Sequence, residues 1–176
     1  MAVVGSSHKV DFCNELGADV TIDKSTQDLW KEAEIASPNG YAAIFDANGV
    51  ETIGQSFDHL ARCGSLVVYG FHSNLPKAAT LLSPFHWIGM AFGMSAMPTF
   101  DAMEMTVNSK SISGFNLSFF EEEHELIAMY MDQIVDWLKS GQLVASDVTC
   151  YPMRDIAKAH KEIQSGKSRG KIVLKC

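Results

Sequence analysis

Residues 41–71 read YAAIFDANGVETIGQSFDHLARCGSLVVYGF. An apolar run ends in Asp46-Ala47-Asn48-Gly49, an amphipathic segment follows, and a second apolar run ends in Tyr69-Gly70-Phe71. Two short apolar runs separated by a helix-length spacer predict a β-α-β unit. Runs that are apolar almost throughout, rather than alternating, predict strands covered on both faces. In the spacer, Ile53, Phe57, Leu60 and Ala61 form the covering stripe, and Gly64 sits where the helix should stop. Ligands of such sheets bind beyond the carboxyl ends of the strands. Asn48-Gly49 and Gly70-Phe71 both fall there.

The rhythm extends in both directions. Upstream, MAVVG (Met1–Gly5) predicts a strand, and Lys9–Leu16 predicts a helix that Gly17 ends through positive φ. Ala18–Ile22 predicts a strand, and Asp23–Ser37 a helix capped by Ser25 or Thr26. Pro38-Asn39-Gly40 turns the chain into the central unit. Downstream, His72–Phe100 is rich in Met, Pro and Phe, and a short helix is expected at Phe85–Met94. Lys110–Leu117 predicts a strand split by Gly114. Phe120–Ser140 predicts the longest helix, with Glu121, Glu122 and Glu123 in its first turn and an apolar face of Leu126, Ile127, Tyr130, Met131, Ile134, Val135 and Leu138. A strand at Val148–Tyr151, a helix at Met153–Gln164 with Ile156, Ala159, His160 and Ile163 inward, and a strand at Lys171–Leu174 complete the pattern.

With 176 residues, of which 47% are hydrophobic, the chain can bury a sizeable core. The net charge is −7 and no basic cluster is present, which argues against nucleic acid as a partner. The most apolar stretch, Leu81–Met97, contains a proline, a histidine and polar residues and is a little short for a membrane span. It reads as a buried or interfacial segment, and no membrane association is expected. No secretory signal opens the sequence. Cys13, Cys63, Cys150 and Cys176 are scattered without paired spacing, as expected for reduced thiols in a cytoplasmic protein.

Several stretches carry chemistry. GSSHK (Gly5–Lys9) follows one strand and opens a helix, and its Ser6, Ser7 and Lys9 can hold a phosphate monoester. At the end of a second strand of a doubly wound sheet, such a cluster accepts the adenosine 2′-phosphate of NADP, whereas a carboxylate selects the free hydroxyl of NAD. An ordinary capped turn is the plain alternative. If Met1–Gly5 were instead the first strand, Asp23 would be the ribose ligand, but no G-x-G-x-x-G occurs in the chain. Asn48 can donate to ribose or pyrophosphate oxygens, and Asp46 is expected to fix the turn. Gly70 permits close approach of a nucleotide ring. Gly114-Phe115-Asn116 can set backbone groups beside a nicotinamide, or form a bulge at an edge. His59 and His160 read as ordinary helix residues, while His72 and His86 fall in the long connection. No metal set is expected, and no catalytic acid, base or nucleophile can be named.

Together, ELGADVTID, GYAAIFDANG, LARCGSLVVYGF, KSISGFNLSF and AHKEIQSGKSRGKIVL resemble the C-terminal half of a medium-chain dehydrogenase/reductase. The similarity is to the zinc-independent quinone oxidoreductase branch, including VAT-1-like proteins. It implies an α/β fold: an incomplete doubly wound, Rossmann-type parallel sheet lacking its first strand, followed by the C-terminal part of the GroES-like catalytic domain. The implied domains are 1–115, a partial NADP-binding domain, and 116–176, the catalytic-domain portion. The implied cofactor is NADP, with Ser6, Ser7, Lys9, Asn48, Gly70, Phe115, Asn116 and Lys171 at or beside its cleft, and Asp23 becomes a poor ribose ligand. The implied reaction in a full-length protein is hydride transfer to a quinone, enone or carbonyl compound. The implied assembly is a homodimer through the edge strand Ser111–Asn116. An interaction module that keeps the fold without catalysis is the competing function. A methyltransferase shares the β-α-β layout but would need a glycine-rich loop after its first strand.

Overall fold

A computed structural model describes residues 1–71, 97–145 and 147–176. The expected helix at Phe85–Met94, most of the Leu81–Met97 segment, His72 and His86 lie outside the described residues. The architecture is α/β with parallel strands, and the chain divides into two compact units, Asp28–Phe119 and Met1–Gln27 with Phe120–Cys176.

The Asp28–Phe119 unit is built on a three-stranded parallel sheet ordered β3-β4-β5, with β3 at Tyr41–Asp46, β4 at Leu60–Val68 and β5 at Ser111–Gly114. Helices α2 (Leu29–Ala36), α3 (Ile53–Asp58) and α4 (Ala102–Asn108) connect and flank these strands. The register sets Ile44, Leu66 and Ile112 side by side. Leu66 is wholly buried and packs with Ile53, Phe57, Leu60 and Val68 as the core of the unit. Of the stripe predicted from the spacing, Ile53, Phe57 and Leu60 are in this core and Ala61 is not. The opposite face is open at Phe45, which is 70% exposed, so coverage on both faces does not hold at this strand.

Other local expectations are corrected. The cap of α2 is Asp28, whose carboxylate accepts from the Trp30 and Lys31 amides, and not Ser25 or Thr26. Helix α3 ends at Asp58, so Leu60 and Ala61 belong to a strand and Gly64 is not a helix stop. The cause is tertiary. Lys110 donates to the Phe57 and Asp58 carbonyls at 2.9 and 3.2 Å and closes the helix end. Beyond it the pairing with β3 jumps from Tyr41–Leu60 to Ala43–Ser65. Cys63 takes φ 63° in this bulge, and a Cβ on Gly64 would stand 2.8 Å from the Ala61 and Tyr41 carbonyl oxygens.

His59 ends α3 and donates from Nδ1 to the Gln55 carbonyl, with its ring 4.8 Å from that of Trp30. Tyr41 donates its hydroxyl to the Ala33 carbonyl at 2.8 Å, and burial raises its pKa above that of ordinary tyrosine. Helix α4 has no counterpart among the elements predicted from sequence. It starts at an Asp101 cap that accepts from the Met103 amide.

The other unit contains two separate parallel pairs. Strand β1 (Ala2–Val4) pairs with β2 (Thr21–Asp23), with α1 (Val10–Glu15) between them. Strand β6 (Val148–Pro152) pairs with β7 (Lys171–Lys175) across α6 (Ile156–Gln164). Gly17 ends α1 at φ 97°, as predicted. Helix α5 spans His124–Lys139, so Glu121 and Glu122 precede it and Glu125 lies in its first turn. None of its residues is buried, and Tyr130 and Met131 are more than half exposed. In α6 only Ala159 is buried, while Ile156, His160 and Ile163 are not. Tyr151 donates to the Glu162 carboxylate, which raises the tyrosine pKa. Among the described residues, β1 is hydrogen-bonded to β2 alone, and β3 to β4 alone.

Candidate functional site

In the Asp28–Phe119 unit the site is built on Asp46, the last residue of β3. Its side chain is buried at 4% exposure and is met by hydrogen-bond donors from the turn and from α3. Oδ1 accepts from the Asn48 and Gly49 amides at 2.8 and 3.2 Å. The Thr52 hydroxyl lies 2.7 Å from Oδ2, and the Ser56 hydroxyl donates to Oδ2 at 2.8 Å. A carboxylate at a strand terminus thereby locks the entry to the following helix. Gly49 completes the turn at φ 96°. The expectation that Asp46 fixes this turn is met in full.

Gly70 closes the neighbouring corner. A Cβ there would lie 2.9 Å from the Ala47 carbonyl oxygen, so only glycine lets the end of β4 settle on the Asp46 turn. The next strand end brings Phe115, whose ring stacks on Tyr69 at 6.2 Å and 15°. Ile53, Val68, Phe71, Phe100, Phe115 and Asn116 border an apolar cavity of ≈ 500 Å³ beyond β4 and β5. Asn48, Gly70, Phe115 and Asn116 therefore gather at the carboxyl ends of three consecutive parallel strands. Asn116 also has a local task, because its Oδ1 accepts from the Ser118 amide at 3.0 Å.

In the other unit, Ser6, Ser7 and Lys9 lie on the turn that follows β1. Ser7 donates its hydroxyl to Asp23 Oδ2 at 2.5 Å. Asp23 is 4% exposed and also accepts from the Ser25 amide and hydroxyl. Hydrogen bonds from Ser25 and then Ser7 hold its pKa below the usual carboxylate value. Sequence spacing does not reveal this role of Asp23, because strand register sets its partners. The only signal in the sequence is an acidic residue at the end of β2. Lys171 opens β7 opposite Val148, with its side chain exposed. His160 is exposed on α6.

The family model described as zinc-binding dehydrogenase matches residues 16–174. The synaptic vesicle membrane protein VAT-1 homolog of Mus musculus is 25% identical over 171 residues, covering 96% of this chain and 40% of that protein. The probable quinone oxidoreductase of Leishmania amazonensis is 25% identical over 171 residues, covering 96% of this chain and 46% of the relative. The crystal structure of Escherichia coli quinone oxidoreductase complexed with NADPH shares the fold, with a TM-score of 0.67 at 20% identity over 98% of this chain and 48% of that one. The chain thus spans less than half the length of these relatives. No group of three or more His, Cys, Asp or Glu side chains placed to hold a metal ion occurs among the described residues, so the zinc in the family description has no donor set there. No helix among the described residues is long and apolar enough to cross a membrane.

Proposed function

The chain belongs to the zinc-binding dehydrogenase family, in its quinone oxidoreductase and VAT-1-like branch, and from that premise we propose that it is the dinucleotide-binding portion of an NADP(H)-dependent oxidoreductase of quinone reductase type. The observation that carries this reading is the position of Asn48, Gly70, Phe115 and Asn116 at the ends of consecutive parallel strands, with Phe115 and Asn116 lining an apolar cavity of ≈ 500 Å³. That cavity has a size and lining suited to a small ring. When bound, the dinucleotide supplies the hydride, and a quinone, enone or carbonyl compound accepts it.

The residues of this chain bind and orient. Asp46 holds the Asn48 amide and the Gly49 amide in place, so that the turn keeps one shape without a ligand. Gly70 lets the end of β4 settle on the Asp46 turn, which places the two strand ends side by side. Phe115 offers an apolar ring at the cavity, and Asn116 offers backbone groups to a carboxamide. In the other unit, the turn bearing Ser6, Ser7 and Lys9 is assigned to the 2′-phosphate, and Lys171 to the cofactor side of its strand pair. We assign residues 1–115 to the cofactor domain and 116–176 to the catalytic domain. Among the described residues, β1 and β3 are each hydrogen-bonded along one edge.

Among the described residues strand β5 is hydrogen-bonded to β4 alone, and Phe115, Leu117 and Phe119 beside it are 45%, 68% and 83% exposed. This supports pairing of two copies through Ser111–Asn116. The same apolar exposure favours the second reading, an interaction module without catalysis. Titration of the full chain with NADPH, followed by nicotinamide fluorescence, tests the proposal. Saturable binding that Lys9→Ala weakens roughly fivefold or more supports it. A folded chain that binds neither NADPH nor NADH overturns it and favours the interaction module.

A further inference from the structure

Ser6, Ser7 and Lys9 do not share the 2′-phosphate turn equally, because one of their donors is already spent. A serine hydroxyl has one hydrogen to donate. In Ser7 that hydrogen is directed at Asp23 Oδ2 over 2.5 Å. Asp23 is 4% exposed, and Ser25 fixes its other oxygen through an amide at 2.9 Å and a hydroxyl at 2.6 Å. A phosphate monoester at neutral pH chiefly offers acceptors. The Ser7 side chain, with its hydrogen committed, has no donor left for it.

A different side chain stands at the same turn. The β1–β2 register sets Val4 opposite Asp23, and the Lys24 amide donates to the Val4 carbonyl at 3.0 Å. This carries the Lys24 stem alongside Gly5, with Cε 4.0 Å from the position a Gly5 Cβ would take. Gly5 directly precedes Ser6. At that distance the Lys24 stem lies in ordinary van der Waals reach of position 5. Neither Lys9 nor Lys24 takes part in an ion pair among the described residues. The neighbouring His8 is turned away, with Nε2 on the Lys167 carbonyl at 3.1 Å.

We propose that Lys24 is a second phosphate-binding cation of this turn, acting with Ser6 and Lys9, and that Ser7 is a positioning residue whose hydroxyl ties the turn to Asp23. The inference rests on the NADP(H) reading and deepens it, since it names a specificity-determining residue outside the GSSHK stretch. Two ammonium groups suit a phosphate dianion and give nothing to the free 2′-hydroxyl of NADH.

The test is fluorescence titration of the full chain, and of its Lys24→Ala, Lys9→Ala and Ser7→Ala variants, with NADPH and NADH, with circular dichroism to establish folding. The expected result is that Lys24→Ala weakens NADPH binding roughly five- to tenfold, as for loss of one charge-assisted contact, while NADH binding is unchanged. Ser7→Ala should hold the NADPH to NADH ratio, and Lys24→Arg should retain NADPH preference. If Lys9→Ala lowers the preference and Lys24→Ala does not, the Lys24 assignment is overturned and the cofactor reading stands. The Lys24 assignment is equally overturned if Ser7→Ala costs as much selectivity as Lys24→Ala. If the folded chain binds neither dinucleotide, both fall.

Discussion

Asp46→Ala is the sharpest perturbation of the site's framework. The carboxylate serves the Asn48 amide, the Gly49 amide, the Thr52 hydroxyl and the Ser56 hydroxyl while only 4% exposed. Alanine strands these donors without admitting a replacement group. The hydroxyls have partial escape: Thr52 already lies 3.4 Å from the Gly49 carbonyl, and a helical serine can bond back to its preceding turn. The two backbone amides have no such freedom. An unsatisfied buried donor costs about 1–3 kcal/mol, so the amides and the residual loss at the hydroxyls together predict about 3–5 kcal/mol. That is a large part of the roughly 5–15 kcal/mol typical of a domain. Asp46→Asn keeps one acceptor for the amides and a donor for the hydroxyl oxygens, and should cost about 1–2 kcal/mol. Urea unfolding followed by tryptophan fluorescence in a Trp87→Phe, Trp137→Phe background, which leaves Trp30 of the same unit as the reporter, measures both differences. An Asp46→Ala midpoint equivalent to less than about 1 kcal/mol would refute the claim that this carboxylate organises the turn.

Two further predictions concern backbone strain and pH. Cys63 sits at φ 63°, a region that costs a residue with a Cβ about 1 kcal/mol or more, so Cys63→Gly should raise stability by roughly 0.5–1 kcal/mol. A lowered thermal midpoint would show that the Cys63 side chain contributes more than its conformation costs. Asp23 has a folded pKa below its unfolded value, so its contribution is fully present above about pH 4 and is lost as pH falls through the folded value. Urea midpoints between about pH 5 and 2 should therefore converge for wild type and Asp23→Asn at the acid end. Parallel curves with a constant gap would remove Asp23 from the acid response.

What the sequence by itself determined is the periodic part of the protein. The Tyr41–Phe71 pattern specifies strand, helix and strand, and the inward residues Ile53, Phe57 and Leu60 follow from side-chain spacing, whereas Leu66 and Val68 are singled out by the sheet. The positive φ of Gly17 is readable because no other residue adopts that backbone so cheaply. The candidate residues Asn48, Gly70, Phe115 and Asn116 are legible as a set, since strand ends are visible in a pattern. What only the tertiary structure decided is which groups are spent on one another. The Ser7 hydroxyl reaches Asp23, sixteen positions away, and Lys110 closes α3 from more than fifty positions away. Helix α3 stops early for that reason, although its apolar spacing runs on through Ala61. Local spacing encodes the face a side chain presents. Register and long-range closure decide whether that side chain still has a hydrogen, a lone pair or a charge to offer a ligand.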